Sequence, residues 1–168
     1  MRYYIADLHF DHNGLNERMD NRGFDSTESM NAHMIERWNG KVRANDEVVI
    51  LGDFSLSKSA SNVNDLLETL NGKKCLITGN HDKYLDMRKF DKNLFEWIAD
   101  YKELHDNKRK VILSHYPVFC YNGQYRTDIS GNPHTYMLYG HVHNTFDEKL
   151  INEFIFRTRD CRREIYGK

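Results

Sequence analysis

Seven residues of metal-ligand type stand in five short motifs spread along the 168-residue chain. In order, the motifs are Asp7-Leu8-His9, Gly52-Asp53, Gly79-Asn80-His81-Asp82, His115 within Ser114-His115-Tyr116-Pro117, and Gly140-His141-Val142-His143. Asp7, His9, Asp53, Asn80, His115, His141 and His143 offer two carboxylates, one amide oxygen and four imidazoles. Such a set can hold two divalent cations side by side, and a pair of cations activates water and stabilises in-line attack at phosphorus. The two oxygens of Asp53 suit it to bridge cations about 3.5–4 Å apart. Residues i and i+2 of a strand share a face, so Asp7 and His9 can grip one cation together. His141 and His143 can do the same where the backbone is extended. The two aspartates neutralise about half the charge of two divalent cations, which leaves positive charge for a hydroxide and a phosphate oxyanion. With no thiolate in the set, Mn, Fe, Zn, Co or Ni is expected rather than copper(I), with Mn favoured, and the imidazoles argue against a pure Mg or Ca cage.

His81 directly follows Asn80, so strand alternation turns its ring elsewhere, toward a substrate. There it would act as general acid to a leaving oxygen or as a positive donor to a phosphoryl group. Asp82 is expected either to orient His81 or, the favoured reading, to cap a following helix. His12 divides between a substrate-side role and an ordinary loop histidine, and His33, His105 and His134 read as surface or core residues.

The elements that must position these residues alternate between strand and helix. Tyr3 to Ala6 reads as a strand ending at Asp7. Asp25 with Glu28 has capping-box spacing for a helix through Met30, Met34 and Trp38, stopping at Asn39-Gly40. Glu47 to Leu51 is a buried strand ending at Gly52-Asp53. Asn62 can cap a helix whose Val63, Leu66, Leu67 and Leu70 form one apolar stripe, terminated by Asn71-Gly72. Cys75-Leu76-Ile77 runs into Gly79-Asn80. Trp97 to His105 and Lys110 to Leu113, joined by Asp106-Asn107, suggest a hairpin leading to His115. Tyr136 to Tyr139 is a last strand before Gly140. Every ligand motif thus sits where a hydrophobic strand stops, and in layered α/β folds such ends converge on one site.

Composition supports a folded chain of one domain, residues 1–168, with 39% hydrophobic and 12% aromatic residues and a net charge of -1. The near-neutral charge argues against a strong nucleic-acid footprint. No stretch approaches the roughly 20 apolar residues that span a bilayer, and the N-terminal residues do not read as a signal peptide. Cys75, Cys120 and Cys161, odd in number and widely spaced, suggest reduced thiols and a cytoplasmic location rather than disulfides or a thiolate zinc site.

The five motifs, in this order over residues 3 to 143, resemble those of the calcineurin-like metallophosphoesterases. The start Asp7-Leu8-His9-Phe10-Asp11-His12 is similar to a small bacterial or phage branch. The resemblance implies an α/β four-layer sandwich, two mixed β-sheets flanked by α-helices. It implies that Asp7, His9, Asp53 and His143 hold one ion, and that Asp53, Asn80, His115 and His141 hold the other. His81 matches the family's catalytic histidine. The implied reaction is hydrolysis of a phosphomonoester or phosphodiester by a metal-bridging hydroxide. Protein Ser/Thr phosphatases of the family continue as GDxxDRG, whereas Phe54-Ser55-Leu56-Ser57 follows Gly52-Asp53 here. The partner acid and phosphate-gripping arginine of that motif are therefore missing, which argues against a phosphoprotein substrate. The short segment from 144 to 168 leaves one sheet edge, and dimerisation, open.

Tyr116, Tyr121, Tyr125, Tyr136 and Tyr139 put half of the ten tyrosines between the last two motifs. They read either as a wall that stacks a nucleobase, with Tyr116 nearest a ligand, or, the preferred reading, as amphipathic packing. Arg157, Arg159, Arg162 and Arg163 alternate with Glu153, Asp160 and Glu164, as on a solvated helix face. The expected protein is a phosphoesterase for a small phosphate ester or nucleotide-like substrate, with a slight preference for diesters. The rivals are a non-catalytic scaffold of the same fold and a nuclease; intact ligand motifs weigh against the first and neutral charge against the second.

Overall fold

The computed structural model of the chain describes residues 1–15 and 20–153. Strands β1 (Arg2–Ile5), β2 (Glu47–Ile50), β3 (Lys73–Ile77) and β4 (Trp97–Ala99) form a parallel sheet in sequential order. Strands β5 (Tyr101–Asp106), β6 (Arg109–Ser114) and β7 (Thr135–Leu138) form a mixed sheet, β5 antiparallel and β7 parallel to β6. Helix α1 (Thr27–Lys41) connects β1 to β2, and α2 (Ala60–Thr69) connects β2 to β3. The chain forms the expected α/β sandwich of two sheets with flanking helices, but only one sheet is mixed: the other is wholly parallel, with α1 and α2 as crossovers between its first three strands.

Strand alternation explains the layers. Val48, Ile50 and Leu76 face the helices, where they pack with Trp38, Val63 and Leu67. Val49, Leu51, Cys75 and Ile77 face the other way and pack against Val111 and Leu113 of the mixed sheet. A parallel sheet covered on both faces needs uninterrupted hydrophobic strands, which is why β2 reads as a plain apolar run. Each fully buried aliphatic side chain here contributes about 1.5–3 kcal/mol.

Several boundaries differ from the sequence expectation, each for a local reason. Helix α1 is capped by Ser26, not Asp25: the Ser26 hydroxyl accepts from the Ser29 N–H at 3.0 Å, and the Ser29 hydroxyl lies 3.1 Å from the Ser26 N–H. This reciprocal pair satisfies two orphan donors of the first turn, and Asp25–Glu28 is the same spacing displaced by one residue. The helix also continues past Asn39-Gly40 to Lys41. Trp38 and Val42 are buried one turn apart, which outweighs the ~1 kcal/mol cost of a helical glycine. Ser59 caps α2, and Asn62, the expected cap, instead gives its backbone N–H to the Ser59 hydroxyl at 3.3 Å. Gly72 provides the left-handed turn beyond α2 at φ +83, packed against Val42 and the Asp46 carbonyl. The expected strand from Trp97 to His105 breaks at Asp100: Trp97–Ala99 extends the parallel sheet beside β3, and Tyr101–Asp106 starts the other sheet. Only β5 and β6 make the hairpin.

Candidate metal centre

All parallel strands end on the same side, so the ligand motifs after β1, β2 and β3 fall together, and those after β6 and β7 join them from the second sheet. Backbone hydrogen bonds carry the pairing beyond the strands: Asp7 N–H to Gly52 O (3.1 Å), His9 N–H to Asp53 O (2.9 Å) and Phe10 N–H to Phe54 O (2.9 Å). Within the mixed sheet, the Gly140 N–H reaches His115 O at 3.0 Å, continuing the pairing of β6 with β7. The His141 N–H lies 3.1 Å from both carboxylate oxygens of Asp7.

The backbone at these motifs is not extended. Asp7 (φ 53), His9 (φ 51), Asp53 (φ 55), His141 (φ 70) and His143 (φ 45) are left-handed. Left-handed backbone, rather than strand pleating, turns Asp7 and His9 inward together, whereas His141 and His143, expected to share a cation on extended backbone, turn to different ligand groups. Such conformations cost a non-glycine residue on the order of 1–3 kcal/mol each, and they concentrate at functional sites.

Three glycines permit the convergence. A Cβ on Gly52 would stand 2.3 Å from Nδ1 of His115, one on Gly79 2.3 Å from Oδ1 of Asp53, and one on Gly140 2.6 Å from Oδ2 of Asp7. Each glycine ahead of a ligand thus makes room for a ligand from another motif. The glycines were visible in the sequence, but their partners were not.

The ligand atoms gather in two groups. Asp7, His9 and His143 form one and Asp53, His115 and His141 the other, each with its atoms within 4.8 Å of one another. Asp53 Oδ2 stands between them, 3.5 Å from Nε2 of both His9 and His115. Its other oxygen accepts the His81 N–H at 2.8 Å, so a single carboxylate oxygen faces both groups. Asn80 joins the second group, its Oδ1 3.0 Å from His115 Nε2 and 2.9 Å from His141 Nδ1.

This arrangement fits cations. His115 Nδ1 lies 2.8 Å from the Leu51 carbonyl oxygen, which can only accept, so Nδ1 holds the proton and Nε2 presents a lone pair to the cluster. His9 Nε2 is buried with no hydrogen-bond partner among the described residues. Burial first, then the neighbouring imidazoles of His143, His12 and His81, lower the His9 pKa to about 3, keeping it neutral and able to donate its electron pair. Burial likewise lowers His141, aided by His115, and raises Asp7 against the opposing His141 N–H. Electron-pair donors thus crowd together with few protons to share, as a metal site requires.

His81 has its ring centroid 5.4 Å from that of His9 and 6.2 Å from that of His12, partly open to solvent. Asp82 follows neither expectation. Its carboxylate accepts the N–H groups of Gly79 (2.8 Å), Asp53 (3.0 Å) and Phe54 (2.8 Å), tying the β2 and β3 loops together. The segment after it is one 3-10 turn, Lys83–Asp86, without a side-chain cap. Three inward donors satisfy a buried carboxylate more fully than the single 3-10 turn that follows it, and burial raises its pKa against those donors.

His12 stands with Nδ1 3.3 Å from Nδ1 of His9, behind the ligand. The Tyr116 hydroxyl donates to Asn80 Oδ1 at 3.2 Å, and its half-exposed ring packs on His141 with centroids 4.5 Å apart. Tyr136 instead lies under the Arg109 guanidinium and Tyr125 beside that of Arg126. His33 packs on Phe24, while His105 and His134 line a recess with Lys108 and Arg126. The Arg157 to Arg163 cluster and Cys161 lie outside the described residues. No helix among the described residues is long and apolar enough to cross a membrane.

Two parallel-strand loop clusters closing on paired ligand groups define a metal-site α/β fold, and the comparisons place it: the chain belongs to the calcineurin-like phosphoesterases, whose family model matches residues 3–158. It is 34% identical over 148 residues to an uncharacterized protein of Methanocaldococcus jannaschii, covering 87% of this chain and 72% of that one. It is 32% identical over 130 residues to the Gene 66 protein of Mycobacterium phage D29, covering 68% of this chain and 63% of the phage protein. Among solved structures, a protein of unknown function from Aquifex aeolicus superposes with a TM-score of 0.55 at 28% identity, over 70% of this chain and 61% of that one. The chain thus spans under two thirds of the phage protein and of the Aquifex structure.

Proposed function

We propose that the protein is a dinuclear-metal phosphoesterase that hydrolyses a small phosphate ester, with a slight preference for diesters. The observation that carries this reading is Asp53 Oδ2, equidistant at 3.5 Å from a histidine of each ligand group. Asp7, His9, Asp53 and His143 would hold one cation, and Asp53, Asn80, His115 and His141 the other. Divalent cations there, Mn favoured among Mn, Fe, Zn, Co and Ni, would lower the pKa of bound water from ~15.7 toward neutrality and neutralise charge on phosphorus. His81, beside the first group and partly open, would donate a proton or hydrogen bond to the leaving oxygen. Its backbone tether to Asp53 fixes that position relative to the shared carboxylate. Tyr116, half exposed against Asn80 and His141, would flank the ester, and its ring favours a substrate carrying a flat group.

The test is hydrolysis of bis(p-nitrophenyl) phosphate and p-nitrophenyl phosphate by chelated protein with Mn²⁺ restored. Turnover should return with Mn²⁺ and fall about 10²–10⁴-fold in His81→Ala, the usual contribution of proton transfer. A larger rate on the diester supports the stated preference. Stoichiometric metal binding with no turnover of either ester, by any of the five metals, would favour a non-catalytic scaffold.

A further inference from the structure

We propose that Arg22 and Asp20 form a clamp that positions the first cation's ligands, an inference that rests on the two-cation reading above. One amino group of the Arg22 guanidinium donates to the Leu8 carbonyl at 2.8 Å and the other to the Asp7 carbonyl at 2.9 Å. The same guanidinium grips Asp20 Oδ2, through Nε at 3.3 Å and through the second amino group at 3.2 Å. The remaining oxygen of Asp20 lies 3.1 Å from His143 Nδ1, across 123 positions of sequence.

One side chain thereby holds the Asp7–Leu8 backbone and, through Asp20, the ring of His143. All three ligands of the first group are addressed: Asp7 through its carbonyl, His9 through the Leu8 carbonyl of the peptide bond that joins it to Leu8, and His143 through its ring. Asp20 can only accept, so Nδ1 of His143 carries the proton and Nε2, 3.9 Å from Asp7 Oδ1, is left as the donor. A carboxylate behind a ligating histidine fixes its tautomer and orientation and raises its basicity. The planar fork of arginine suits the task, because it can serve two carbonyls and a carboxylate at once, whereas a lysine is a single point of charge. The second group has no share in this clamp: His115 is fixed instead by the Leu51 carbonyl. Loss of the clamp should therefore separate the two cation positions.

The test is calorimetric titration of chelated protein with Mn²⁺, with electron paramagnetic resonance at each metal equivalent. Wild type should bind two Mn²⁺ and show an exchange-coupled pair. Asp20→Ala should bind one Mn²⁺ about 10–100-fold more weakly, the usual effect of removing such a supporting partner, while the other changes little. At two equivalents its spectrum should then be dominated by isolated Mn²⁺. Asp20→Asn, which keeps the shape and an acceptor oxygen, should fall between the two. Unchanged affinities and a coupled spectrum in Asp20→Ala would overturn the clamp and leave the two-cation reading intact. A wild type that binds fewer than two Mn²⁺ would overturn both. Should Asp20→Ala fail to fold without metal, wild-type affinity at both positions in Asp20→Asn would overturn the clamp.

Discussion

At the scale of single residues, the site depends as much on missing atoms as on ligands. Gly79 is the sharpest case, because a Cβ there would lie 2.3 Å from Asp53 Oδ1 and 2.4 Å from Asp53 N. The second of these is backbone and cannot swing aside. Gly79→Ala should therefore displace the one carboxylate that faces both ligand groups. We expect a destabilisation of about 1–3 kcal/mol, as for other overpacked sites, together with loss of tight metal binding. Equilibrium dialysis against Mn²⁺ beside a denaturation curve checks both, and wild-type metal content would refute the steric argument. The ligand residues themselves were legible, since each motif is a short contiguous string and their order is a pattern in one dimension. Asp82, Asp20 and Arg22 were not, because their meaning lies in contacts with Phe54, His143 and Leu8 that no local spacing reveals. The one local signal is the spacing of Asp20 and Arg22, an acid and a base two residues apart that pair with each other.

At the scale of elements, strands and helices were legible wherever burial imposes a period. The stripe of α2 and the apolar run of β2 are examples, each pressed against the core. Their boundaries were less so, since Asp25 and Ser26 are both good caps and only the reciprocal bond with Ser29 decides between them. The break after Ala99 is not legible, because β-propensity says nothing about which sheet a residue joins, and the two sheets change over at Asp100. One tie between those sheets can be measured through its proton. The Tyr4 hydroxyl of β1 donates to Asp106 Oδ2, at the end of β5, at 2.8 Å. Burial, then the Asp106 hydrogen bond, pushes the Tyr4 pKa up to about 12, above the ~10 of an unfolded tyrosine. The folded state thus holds this proton where the unfolded state has released it. Its stabilising effect is complete below about pH 10 and is lost as pH rises from there toward 12. Chemical denaturation between pH 8 and 11 should show a smaller alkaline loss of stability in Tyr4→Phe than in wild type. An identical pH dependence would mean that the tie does not distinguish the two states.

At the scale of the whole molecule, the candidate centre is built from both sheets. Asp7, His9, Asp53 and Asn80 follow strands of the parallel sheet, and His115, His141 and His143 follow strands of the mixed one. Each ligand group combines members of both. This division has a consequence for the order of events in folding. Residues 7 and 143 meet only after β7 has docked beside β6 and the mixed sheet has closed on the parallel one, so a folding transition state that precedes this closure has no complete ligand set to offer. Metal should then act almost wholly on the escape from the native state. In stopped-flow experiments, saturating Mn²⁺ should slow unfolding by the factor expected from its binding, about 100-fold for each cation present at a hundred times its dissociation constant, and leave the refolding rate unchanged. Refolding accelerated to the same degree would mean that the ligands assemble early, with the cations acting as a nucleus. On the ordering drawn from this topology they act as a latch, and the lifetime of the folded protein is set by how rarely it lets them go.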